Sequence, residues 1–79
     1  VPHDVRITAD ILRRVNKAEA ALAPFHFKEL RVRDHEYWAR VEVAKDDLPR
    51  LFQEREAVTK ALKGLGYRRV AIDLEGHGD

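Results

Sequence analysis

Two stretches of alternating apolar and charged residues around a polar turn, two helical apolar stripes, and a third alternating stretch near the end predict an α+β fold. The first pair of stretches, Leu30 to Val43, organises the chain. Leu30, Val32, Ala39, Val41 and Val43 fall on one side of a hairpin, and Arg31, Arg33, Trp38, Arg40 and Glu42 fall on the other. Asp34 to Glu36 reads as the turn. One face therefore serves a core, and the other carries three arginines and a glutamate.

Upstream, Val5-Arg6-Ile7 alternates as a short strand would, and Thr8 is placed to cap a helix with Asp10 in its first turn. Ile11, Val15, Ala18 and Leu22 recur at helical spacing, and Pro24 stops the run. Glu19 borders this stripe, either as an edge carboxylate reaching water or as one aimed into a cleft. Phe25-His26-Phe27 connects into the hairpin.

Downstream, Asp46 or Asp47 caps a second helix with Pro49 in its first turn. Leu48, Leu51 and Phe52 form one apolar group, and Val58, Ala61, Leu62 and Leu65 form another, with Arg55 where the stripe should continue. Two helices separated by a kink and one helix with a charged edge both satisfy that pattern. Gly64 and Gly66 end it as helix caps. Val70, Ile72 and Leu74 then face the core from a last strand, while Arg69, Ala71, Asp73 and Glu75 face away; Gly76 to Asp79 reads as a loose end.

This order, strand, helix, hairpin, helix, strand, predicts a single domain over residues 1–79 with a ferredoxin-like split βαβ arrangement. An antiparallel sheet carries two helices on one face and leaves the other open. The open face collects Arg31, Arg33, Arg40, Glu42 and Asp73. Two guanidiniums rooted two residues apart on a strand lie roughly 7 Å apart and can converge on one phosphate or sulfate. Alternatively, the same side chains pair across strands as a solvated face, or exposed Tyr37 and Trp38 make the face an association surface for another copy or a catalytic domain.

Composition narrows the functions. The chain carries 15 Lys and Arg against 14 Asp and Glu, and too few aromatics share the arginine face to stack bases, so nucleic acid is not the expected partner. Cys and Ser are absent, which excludes disulfides, thiolate chemistry and a serine nucleophile within this chain. His3, His26, His35 and His77 show no paired metal spacing. No apolar run approaches the roughly 18 residues that span a membrane, and the expected location is the cytoplasm. Charged residues form 37% of the chain against one Asn and one Gln, a balance that points to a thermophile. A start at Val1 with no Met suggests a trimmed chain or an unusual start.

Ile7-Thr8, Ala18-Glu19, Leu30-Arg31-Val32-Arg33, Ala39 to Val43, Leu62-Lys63-Gly64-Leu65-Gly66-Tyr67 and Val70 to Gly76 occur in the order and spacing of a known module. They resemble the C-terminal region of the LarE-type ATP-dependent sacrificial sulfur transferases of the PP-loop ATP pyrophosphatase superfamily. The resemblance implies that an upstream PP-loop domain, using ATP and Mg, adenylates a pyridinium dinucleotide carboxylate before sulfur is supplied for a nickel-pincer cofactor. It also implies that Arg31 and Arg33 are an anion-binding pair, with Glu19 and Glu42 nearby and Arg40 and Asp73 in support. The ligand would be a phosphate-bearing small molecule, and the partner a PP-loop catalytic domain or another copy. The chain departs from the family in lacking a Ser-Gly-Gly-x-Asp-Ser loop and in ending Gly76-His77-Gly78-Asp79 without an expected basic residue. No cofactor and no turnover are expected of this chain alone.

Overall fold

The computed structural model describes residues 9–76. Its elements run α1 (Ala9–Leu22), β1 (Arg31–His35), β2 (Trp38–Glu42), α2 (Leu48–Gln53), α3 (Arg55–Lys63) and β3 (Arg69–Ile72). The expected Val5 to Ile7 strand and the Thr8 cap lie outside the described residues. No helix among the described residues is long and apolar enough to cross a membrane.

The strands form one sheet in the order β1-β2-β3, an α+β arrangement consistent with the ferredoxin-like class. The sheet is mixed, which corrects the expectation of an antiparallel one. β1 and β2 are an antiparallel hairpin with Val32 opposite Val41 and Arg33 opposite Arg40, whereas β3 runs parallel to β2 with Ala39 beside Val70. The reason is the connection: a helical crossover returns the chain to the end where β2 began, so the next strand repeats its direction.

Alternation then does what the sequence requires. Val32, Ala39, Val41 and Val43 are buried with Ala18 and Leu22 of α1, Leu51 of α2 and Val58 and Leu62 of α3. Phe27 and Tyr67 complete the cluster. Each fully buried Leu or Val contributes roughly 1.5–3 kcal/mol relative to exposure.

The second helical region is two helices. A continuous helix through Leu51, Val58 and Leu62 would carry Arg55 into the core, and a turn at Glu54 avoids this. Arg55 instead lies 4.3 Å over the exposed Phe52 ring. Asp47 precedes α2, yet its carboxylate does not cap the helix; it accepts the Lys28 N–H at 2.6 Å. That amide, then Arg50, holds the Asp47 carboxyl below its ordinary range.

Two more details depart from expectation. Asp34 belongs to β1, and the two-residue turn is Glu36-Tyr37, with Glu36 at φ 68° and Tyr37 N donating to His35 O at 2.8 Å. Leu74, expected in the core, is 84% exposed because β3 ends at Ile72 and the chain turns, with Gly76 N bonded to Asp73 O. Gly76 is no loose end: φ is 81°, and a Cβ there would meet Lys45 Cγ at 2.8 Å and Val43 O at 3.1 Å.

Candidate functional site

The sheet face turned away from the helices presents Arg31, Arg33 and His35 from β1, Trp38, Arg40 and Glu42 from β2, and Arg69 and Ala71 from β3. Glu42 is the centre. It is 6% exposed, and among the described residues two guanidiniums engage it. Arg33 Nε donates to Oε1 at 3.2 Å and Arg40 Nε to Oε2 at 3.1 Å. The register sets Arg33 directly opposite Arg40, a repulsive pairing that the carboxylate between them relieves. Asp73 adds a weaker contact, 3.9 Å from Arg40 Nε.

Arg40 Nη1 also lies 3.3 Å from His35 Nε2. An arginine only donates, so this contact is a hydrogen bond when His35 carries its proton on Nδ1. The His35 ring stacks on Trp38 at 4.1 Å between centroids, 10° from parallel. Arg31 is exposed across from Glu42, with Nη1 at 3.5 Å from its neighbour Leu30 O.

Five of the six residues singled out in the sequence, Arg31, Arg33, Arg40, Glu42 and Asp73, thus share one face. Glu19 does not join them. It sits at the free edge of β1, where Oε2 accepts the Val32 N–H at 3.1 Å. It is an edge carboxylate used by the backbone, and the cleft alternative is not what the fold makes of it.

A second cluster was missed. Asp34 points to the helix side, and its carboxylate is 2% exposed. Arg14 Nε and Nη2 donate to it at 2.7 and 3.0 Å, the Tyr67 hydroxyl at 2.6 Å and the Glu36 N–H at 2.8 Å. Burial is the largest single influence on Asp34 and pushes its carboxyl up. The four hydrogen bonds together outweigh it and hold the group below its ordinary value of 3.8. Burial and the Asp34 carboxylate push the Tyr67 hydroxyl up to about 12. The bond to Asp34 holds Arg14 still more firmly in its charged form. A signal was available: alternation from Val32 puts Asp34 inward, and an inward Asp requires partners.

Among the described residues no group of three or more His, Asp or Glu side chains could hold a metal ion. The sequence contains no Ser-Gly-Gly-x-Asp-Ser nucleotide loop.

No family model matches the chain. It is 32% identical to the pyridinium-3,5-bisthiocarboxylic acid mononucleotide synthase of Lactiplantibacillus plantarum over 75 residues, covering 95% of this chain and 27% of the synthase. An uncharacterised protein of Methanocaldococcus jannaschii is 32% identical over 69 residues, covering 87% of this chain and 27% of that protein. An uncharacterised protein of Synechocystis is 28% identical over 78 residues, covering 96% of this chain and 29% of that protein. The chain therefore spans just over a quarter of the length of the curated relatives it matches. The similarity to part of the synthase agrees with the resemblance carried by the sequence motifs.

Proposed function

We propose that this chain is an ancillary domain of the kind found in LarE-type sulfur transferases, and that it holds a phosphate-bearing ligand on its arginine face while the chemistry occurs elsewhere. The observation that carries this reading is how Glu42 takes Arg33. It engages Nε at 3.2 Å, which fixes the guanidinium plane and leaves the terminal nitrogens as donors. Arg31 stands beside it on the same strand face. Among the described residues, Arg31, Arg33, Arg40 and Arg69 face Glu42 and Asp73 there, a local excess of two positive charges in a chain whose formal net charge is +1. An anion bridging Arg31 and Arg33 completes a surface already preorganised by pairing beneath it. The similarity to part of the synthase supports a phosphate-bearing ligand over a simple inorganic one.

The chain has neither Cys nor Ser, so it supplies no thiolate for sulfur transfer. Titration with phosphate, AMP and nicotinate mononucleotide, followed through the arginine side-chain resonances, tests the site. Binding that Arg31→Ala with Arg33→Ala abolishes is the expected result. No binding, or binding indifferent to the double substitution, refutes the reading.

A further inference from the structure

The two edges of the sheet are treated differently. On β1, the Glu19 carboxylate occupies the Val32 N–H and so closes that edge to another strand. β3 has β2 on one side and, among the described residues, no hydrogen-bonded neighbour on the other. Asp73 N donates to Val41 O at 3.0 Å with Val41 beside Ile72 and Ala39 beside Val70, so strand alternation turns the main-chain groups of Arg69 and Ala71 toward β2 and those of Val70 and Ile72 outward. No Pro, Lys or Gly interrupts Arg69–Ile72. Beside this edge runs an apolar groove of about 760 Å³ lined by Leu51, Phe52, Val58, Val70 and Ile72, with exposed Leu74 at its end.

We propose that the occupant of this edge is β3 of a second copy, paired antiparallel about a two-fold axis at Ala71, to give one sheet continuous across both copies. The strand is self-complementary in this register. Arg69 meets the partner's Asp73 at both ends, Val70 meets the partner's Ile72, and Ala71 meets itself. Asp73 is on the correct face for this pairing, because its carboxylate lies 3.9 Å from Arg40 Nε on the helix-free side. Val70 and Ile72 are on the groove side, so the paired strands also cover apolar surface. A parallel pairing in register would set Arg69 beside Arg69 and Asp73 beside Asp73, and like charges disfavour it. This interface uses the sheet edge with Arg69 and Asp73, leaving Arg31 and Arg33 of each copy accessible, and it stands whether or not those arginines bind an anion.

The test is sedimentation of the 79-residue chain across a concentration series, with two charge variants. Arg69→Asp alone places Asp against Asp at both ends, and Asp73→Arg alone places Arg against Arg. Each weakens dimerisation by roughly tenfold. Mixing the two variants restores two opposite-charge pairs, and a mixed dimer forms with close to wild-type affinity. Val70→Pro is a third variant: it removes an outward N–H from an edge strand, where Pro is tolerated, and makes the chain monomeric with an unchanged circular dichroism spectrum. A wild-type chain that stays monomeric at its solubility limit overturns the proposal. So does a dimer that survives Val70→Pro, or one that the mixed charge variants fail to restore.

Discussion

The Tyr67 hydroxyl donates to Asp34 Oδ2 across 2.6 Å, joining the residue after the α3 turn to the far end of the first strand. Tyr67 is 3% exposed, so its hydroxyl has no ready replacement for that acceptor in water. Tyr67→Phe should cost roughly 1.5–3 kcal/mol, the usual range for a hydrogen bond to a charged group. Urea denaturation at neutral pH measures it. The native Tyr67 pKa is raised from 10.0 to about 12, so its contribution is complete below pH 10 and falls as pH rises from 10 to about 12. Tyr67→Phe should lose that part of the alkaline decline.

At the acid end the sign reverses. Asp34 is held below 3.8 in the fold, so the unfolded chain takes up the proton first as pH falls. Its contribution is therefore present above about pH 4 and is lost progressively below it. Asp34→Asn keeps the shape but removes the charge that meets Arg14. Stability followed against pH by denaturant midpoint should fall less steeply for this variant in the acid range, from a lower starting value.

How much of this was legible in the sequence depends on which constraint decided each residue. Val32, Ala39 and Val41 follow strand alternation, and Ala18 and Leu22 follow helical spacing, so the core and the arginine face could both be read from period alone. Asp34 could not be read from polarity, because a carboxylate near a turn looks solvated until Arg14, 20 residues upstream, and Tyr67, 33 downstream, are brought to it. Leu74 obeys the strand pattern but lies past the point where Asp73 N bonds Val41 O and the chain turns away. Glu19 is legible as an edge carboxylate of its helix, but its bond to the Val32 amide is not, since a hydrogen bond to the backbone leaves no mark on side-chain patterning.

Glu42→Gln tests the centre of the arginine face. The substitution keeps an acceptor but removes the negative charge between Arg33 and Arg40, which remain directly opposite each other. The expected loss is about 1–3 kcal/mol in low salt. The proposed anion site predicts that added sulfate recovers more stability in this variant than in the wild type, since a ligand that binds only the native state stabilises it. Thermal unfolding with and without sulfate, compared against an equal ionic strength of chloride, separates specific occupancy from screening.

Arg50 is the last tie to test, and it distinguishes guanidinium geometry from charge. Nη1 donates to Phe25 O at 2.6 Å and Nη2 to His26 O at 3.0 Å, while the guanidinium carbon lies 4.5 Å from the Phe27 ring centroid. The connection it grips is strained locally, with His26 at φ 59° and Glu29 at φ 53°. Asp47 is 3.5 Å from Nη2 and is itself fixed by the Lys28 N–H. One planar group thus satisfies two carbonyls, faces an aromatic ring and meets a carboxylate, holding α2 against the segment that enters β1. A lysine keeps the charge but cannot reproduce the fork, so Arg50→Lys should lose most of what Arg50→Ala loses, about 1–3 kcal/mol. Hydrogen exchange at Lys28 and Ala44, the latter donating its N–H to Lys28 O at 2.8 Å, should quicken in both variants. If Arg50→Lys matches the wild type in stability and in exchange at those amides, charge rather than the paired donors holds the connection.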